Sequence, residues 1–201
     1  MGANVLHPES IFPVRVSNIP INIRNTFNPS APGTMIVAQL HESELNDRVI
    51  TGIAGKKGYS IIYIEKSMMN SELGFVRKVL AVLEYYKISF EHLPTGIDTM
   101  SIVVAENELA GKEEVVIERI RKVVAPDHIE IKSGISLVAT VGHGMSYKPG
   151  TASALCGALA KANINIRMID QGSSELNIIV GIATADYEKA IVAIYKAFDK
   201  K

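Results

Sequence analysis

Hydrophobic positions along the chain switch between period-2 alternation and helical stripes. Over residues 163–180, Ile164, Ile166 and Met168 alternate with Asn165, Arg167 and Ile169, which predicts a strand. Gly172-Ser173-Ser174 interrupts it as a turn, and Leu176, Ile178 and Val180 resume it. Just upstream, Pro149-Gly150 opens a helix-like run to Ala162.

The same arrangement occurs earlier. Residues 74–104 can be laid on 150–180 without a gap at an offset of 76, so that Leu83 falls on Leu159, Ile88 on Ile164, Gly96 on Gly172, Ile102 on Ile178 and Val104 on Val180. Upstream, Gly58, Ser60 and Met69 fall on Gly134, Ser136 and Met145. That register predicts an internal duplication of a β-α-β-β-α unit.

Taken in order, the first copy predicts a strand over 59–65, a loop over 66–73 and a helix over 74–86. That helix carries Phe75, Val79, Leu80, Leu83 and Tyr86 on one stripe. Strands over 88–93 and 100–105 flank a turn at 94–98. A helix over 112–124, ended by Pro126, precedes a strand over 128–132. The result is β-α-β-β-α-β, an α+β fold whose antiparallel sheet carries both helices on one face.

The second copy runs 135–141, 150–162, 164–169, 175–182 and 187–198 and lacks its fourth strand. Residues 49–54 are a spare apolar strand, followed by an expected turn at 55–58. We expect that strand to complete the second sheet, because an uncovered edge invites association. The first domain, 58–132, is then inserted into the second, 49–57 plus 133–201.

Residues 1–38 differ in texture, holding five of the eight prolines. They predict strands over 19–27 and 35–37, with a turn at Ala31-Pro-Gly-Thr34. The polar stretch 39–48 is an expected linker.

Composition narrows the function. Twenty-one basic and 21 acidic residues give zero formal net charge, which removes the general electrostatic argument for nucleic acid or an anionic membrane. No apolar run approaches the roughly 18 residues of a membrane span. A single cysteine, Cys156, fits a reducing cytoplasm; amid Ala152, Leu155, Leu159 and Ala160 it is expected to be a small core residue. No catalytic or metal constellation stands out. The five histidines are scattered, His143 between glycines is expected to be a polar loop residue, and Gly55-Lys-Lys-Gly58 lacks the spacing of a phosphate loop.

The informative places are the loops opening the first helix of each copy, 66–74 and 142–150. A loop ending in glycine at a helix start is expected to leave N–H groups pointing outward, and these favour a carboxylate. Across the first loop stand Ser89 and Glu91, and Glu91 could meet an amino group. Carboxylate at a helix start and ammonium at an acid is the pattern for a free amino acid. At the same offset Glu91 becomes Arg167, so the second copy is not expected to hold a basic amino acid in the same way.

With these residues laid out, the chain resembles the C-terminal regulatory region of aspartate kinases. The matching motifs are VLHPESI at 5–11, IPINIRNTFNP at 19–29, APGT at 31–34, VITGIAGKKG at 49–58 and NINIRMIDQGSSE at 163–175. The resemblance implies two ferredoxin-like ACT domains, with 1–38 as the end of the catalytic domain. The rest of that domain, with its ATP and magnesium, is expected to be missing, so the chain alone should be inactive and need no cofactor.

The family binds lysine or threonine between ACT domains of two chains. Carried over by position, the first site would use Met69, Ser71, Phe75, Val76, Ser89, Phe90 and Glu91, with Gly96, Ile97 and Asp98 from the partner. Gly96-Ile97 stands where lysine-responsive relatives often carry Ser-Glu. Threonine-responsive members use the region of Asn163, Asn165 and Gln171. Lysine is favoured, since Glu91 and Asp98 could satisfy its extra ammonium. The expected function is feedback inhibition of aspartate phosphorylation in lysine, threonine and methionine synthesis, by a homodimer joined through its ACT domains. A structural dimerisation module with a lost pocket is the alternative. The ACT part of a fused kinase–dehydrogenase is a third, against which the stop after Phe198 is expected to count.

Overall fold

A computed structural model of the protein describes residues 6, 8–38, 49–146 and 148–199. The expected linker at 39–48 lies outside the described residues. The chain divides into two compact units, 1–48 and 49–201.

In the first unit, helix α1 (Pro8–Val16) precedes two short antiparallel strands, β1 (Ile21–Ile23) and β2 (Thr34–Ile36). The Arg24 guanidinium donates to the carbonyls of Pro29 and Ala31 and closes the intervening loop. Gly33 sits at φ +77°, where a side chain would strike the Ile23 carbonyl, as its turn requires.

The second unit contains β3 (Gly52–Glu65), α2 (Phe75–Tyr85), β4 (Thr99–Ala105), a short α3 (Glu106–Leu109), α4 (Glu113–Val124), β5 (His128–Val141), α5 (Thr151–Lys161), β6 (Ile166–Asp170), β7 (Asn177–Ala183) and α6 (Tyr187–Phe198). One antiparallel sheet runs β4-β3-β5-β7-β6. Strands β3 and β5 are each 14 residues long and pair along nearly their whole length.

This corrects two expectations. Residues 55–58 are not a turn; they continue β3. Residues 128–132 and 135–141 are one strand, not two. Glycine had suggested a turn, but here it serves other needs. At Gly55 a Cβ would lie 2.6 Å from the Tyr187 ring, and Gly58 and Gly134, at φ +86° and +72°, sit at the register shift where the paired strands bend. Left-handed backbone within a ladder suits glycine.

Residues 59–65 of β3 pair with β4 and with 128–132 of β5, while 52–57 pair with 136–141, whose other neighbour is β7. The early strand therefore completes the later half-sheet, as expected, so that one copy is inserted into the other. The segment 88–93 reads as a strand in sequence, yet it makes only an isolated bridge, His92 to Val103, with a second from Thr95 to Met100 in the turn beyond. Pro94, lacking an N–H, interrupts the ladder.

Each half carries its helices on one face, α2 beside α4 and α5 beside α6. In-pointing Ile62, Ile64, Met100, Ile102 and Val104 pack on Phe75, Val79, Leu83, Val116 and Ile120. Val138, Ile178, Val180 and Ile182 pack on Leu155, Leu159, Ala190 and Ile194. Alternation sends Tyr59, Ile61, Val103, Ile135, Leu137, Ala139 and Met168 to the helix-free side, where residues of both halves share a third apolar cluster. Among the described residues three hydrogen bonds of side chains cross between the halves: Ser60 Oγ to Ser133 Oγ at 2.9 Å, His92 Nδ1 to Asp170 Oδ2 at 2.9 Å, and Gly134 N–H to the Glu106 carboxylate at 2.9 Å. Cys156 packs against the second core, half-buried.

The duplication is visible in the backbone itself. Gly58 and Gly134, Gly74 and Gly150, and Lys87 and Asn163 all have positive φ, each pair 76 positions apart. The ungapped register then fails. Ile62 pairs with Ile102, and Val138 with Val180, so β4 and β7 correspond at an offset of 78. Ile102 matches Val180, not Ile178, and the turn holding Gly172 is two residues longer than the one holding Gly96. Two residues change nothing in an alternating pattern, so the slip leaves no trace in the sequence.

Among the described residues, no helix is long and apolar enough to cross a membrane.

Candidate functional site

Helix α2 starts at Gly74, whose left-handed φ of +75° ends the loop before it. Its buried stripe of Phe75, Val79, Val82 and Leu83 faces the core. The flank beside that stripe forms one wall of an open groove of about 830 Å³. Val76, Arg77, Leu80 and Glu84 line that wall, and Ile88, Ser89 and Phe90 line the other.

Of the residues expected at the first site, Val76, Ser89 and Phe90 are brought together in this groove. Phe75 and Met69 are buried in the first core instead. Ser71 is exposed, with its hydroxyl 3.4 Å from Asn70 Oδ1. Glu91 lies away from the groove: its carboxylate accepts the Tyr59 hydroxyl at 3.3 Å. Burial, and next the Glu91 charge, push the Tyr59 hydroxyl above its ordinary pKa.

The expected outward-pointing N–H groups of loop 66–74 are largely spent within the chain. Lys66 and Asn70 donate to the carbonyls of Asp98 and Ile97, and Met68 N–H donates to Asp98 Oδ1 at 2.9 Å. Ser67 N–H donates to Asp127 Oδ2 at 2.6 Å. The loop is stitched to residues 97–98 of its own chain, leaving Ile97 70% exposed and Gly96 on the surface. Lys66 anchors the other side, its ammonium donating to the carbonyls of Val124 and Ala125 where α4 ends, a favourable place for a cation.

Asp127 gives this loop a pH signature. Its carboxyl is held below the ordinary 3.8, chiefly by the Ser67 N–H. With the folded value depressed, its contribution is full above about pH 4 and fades as pH falls through the folded value. Asp127→Asn is expected to make the acid limb of thermal unfolding shallower between about pH 5 and about pH 2; an unchanged slope would contradict this.

Sequence reasoning missed Arg77, Leu80 and Glu84 as groove residues. The signal was available: positions i, i+3 and i+7 lie on one helix flank. Arg77 folds back toward the helix start, with Nε 3.8 Å from where a Gly74 Cβ would stand. A guanidinium over a helix N-terminus at one end and a carboxylate at the other can receive the two ends of a zwitterion.

The second-copy loop differs. Gly142 donates to the Leu176 carbonyl and Ser146 Oγ to that of Ser174. His143, in the short turn that follows, is exposed, as a polar loop residue. Asn163, Asn165 and Gln171 are all on the surface, Asn163 at φ +51° just past α5. They belong to the second half and take no part in the groove.

The family model for the ACT domain matches residues 138–198. Among solved structures, the aspartate kinase of Clostridium acetobutylicum is 55% identical and superposes with a TM-score of 0.90, over 97% of this chain and 45% of that one. Residues 138–198 thus match the ACT-domain family, and nearly the whole chain is similar to one part of aspartokinases. Aspartokinase 3 of Bacillus subtilis is 38% identical over 198 residues, 98% of this chain and 43% of the relative. A chloroplastic bifunctional aspartokinase/homoserine dehydrogenase of Arabidopsis thaliana is 36% identical, over 98% of this chain and 22% of the relative. This ACT pair thus spans less than half the length of the curated relatives it matches.

Proposed function

We propose that this ACT pair is the effector-sensing part of an aspartokinase. It binds a free amino acid, lysine or threonine, and in the whole enzyme lowers phosphorylation of the aspartate side chain. The observation that carries this reading is the α2 groove, with Arg77 and Glu84 at its wall. The 55% identical relative is described as an allosteric enzyme, which supports it. Seven residues at 1.5 Å each separate the Arg77 and Glu84 backbone positions by about 10 Å along the helix. A span of that size suits an extended lysine better than the shorter threonine.

In this reading a second copy adds along the edge of residues 88–91 and closes the groove, with Gly96 and Ile97 contributed from the partner. The domains are 58–132 and 49–57 plus 133–201, preceded by the end of the catalytic domain in 1–38. The effector acts by preferring one dimer arrangement, so inhibition is a difference in affinity between two states.

Calorimetry with lysine and with threonine tests this. Ser89→Trp, at an exposed position, is expected to weaken binding about tenfold or more by filling the groove. Glu84→Gln is expected to weaken lysine more than threonine. Heat from neither amino acid would end the reading. The alternative, a dimerisation module without an effector, is favoured by one observation: Glu91 and Asp98 are both engaged inside the chain. A stable dimer that binds neither amino acid would establish it.

A further inference from the structure

A second concavity, of about 380 Å³, lies where β3 and β5 bend. It is lined by residues of both copies, among them Tyr63, Ser101, Lys132, Ser133 and Arg167, with Gly134 at the bend. No carboxylate lines it. Among the described residues three acids touch its lining from outside, and all are already engaged: Glu130 pairs with Lys132 at 2.8 Å, Glu106 accepts the Gly134 N–H at 2.9 Å, and Glu65 accepts the Tyr63 hydroxyl at 3.5 Å.

The duplication explains the charge. In the first copy Glu91 is satisfied by the Tyr59 hydroxyl. At the offset of 76, Arg167 replaces Glu91 and Ile135 replaces Tyr59. The hydroxyl is gone, and both replacements line the concavity. Among the described residues Arg167 has no hydrogen-bond or ion-pair partner. A guanidinium with a nearby ammonium and two serine hydroxyls is a donor-rich set suited to a small oxyanion.

We propose that this seam is a binding site for a small dianion bearing carboxylate or phosphate groups, distinct from the α2 groove. Arg167 holds one anionic group as a two-pronged donor, and Lys132 and the serines hold the rest. The site bridges both halves of the bent sheet, so an occupant ties the two copies together. It requires neither an amino acid nor a second chain.

The test is calorimetry of the whole 201-residue chain at low ionic strength, once with inorganic phosphate and once with succinate. Heat from at least one of them is expected, and the arm that responds identifies the group recognised. Arg167→Ala is expected to weaken it about tenfold or more, and Arg167→Lys less, because a lysine keeps the charge but loses the fork. Arg167 is exposed, so both variants should fold, and unfolding midpoints check this. Ser89→Trp should leave anion binding unchanged, and Arg167→Ala should leave lysine and threonine unchanged, so this site and the α2 groove fail independently. No heat from either anion, or equal binding by Arg167→Ala, would overturn the proposal.

Discussion

Leu83→Ala and Leu159→Ala are each expected to destabilise the protein by about 2–5 kcal/mol, and to move one and the same unfolding transition. The two leucines are equivalents in the two copies, 1% and 0% exposed, and each fills a different core. Were the copies independent, each substitution would melt its own half. The sheet argues otherwise. Strands β3 and β5 run through both halves without a break in the chain, and the helix-free faces share a third cluster. Neither half-sheet keeps its strand order if the other dissolves. Scanning calorimetry should therefore show a single transition in the wild type and in both variants, shifted down by similar amounts. The double variant should show nearly additive loss, since the two cavities have no shared partner. Two resolved transitions, only one moving with each variant, would refute the claim that shared strands make one cooperative unit.

The second large effect is expected at Gly142. Its φ is 178°, extended backbone that any residue adopts. The difficulty is space. A Cβ would stand 2.5 Å from the Val49 carbonyl oxygen and 2.6 Å from Ile50 Cα. These are main-chain atoms entering β3, tied down by the Thr51 N–H to Val141 carbonyl bond at 2.7 Å. They cannot swing aside as a flexible side chain would. Gly142→Ala is expected to cost about 1–3 kcal/mol. Gly157 is the control: it lies inside α5, where a Cβ meets nothing within 4 Å. Gly157→Ala should stabilise by up to about 1 kcal/mol, because alanine restricts the unfolded chain and favours the helix. Chemical denaturation of the two variants should move the midpoint in opposite directions, and a shared direction would count against this reading of the crossing.

Two other glycines show how far a sequence can be read. Gly55 and Gly58 looked like a turn, and residues 55–58 lie inside the longest strand pair among the described residues. Glycine reports that backbone needs room or a positive φ; it does not say whether the chain reverses or merely bends. The duplication was legible because leucines and isoleucines recur at fixed spacing, yet its register slipped by two between 94–98 in the first copy and 170–176 in the second. That slip preserves which side chains face in. The groove was half legible. Val76, Ser89 and Phe90 were placed there by position, whereas Glu91 was assigned to it and turned instead to Tyr59, a residue 32 positions away that no local pattern links to it.

What the chain's own residues determined was periodic and local: two copies, alternating strands, the helix stripes, the glycine that starts α2, and the extra early strand looking for a sheet. What only the folded molecule decided was contact between segments distant in sequence. It joined four expected strands into two long ones, set Asp98 against the loop at Met68, left Arg167 beside an isoleucine with no hydroxyl to receive it, and put Arg77 and Glu84 at the rim of a groove. The physical reason is that alternation fixes the face a side chain points to, while its partner on that face depends on the bend of the sheet and the loops that close over it, which period-2 and period-3.6 patterns do not encode.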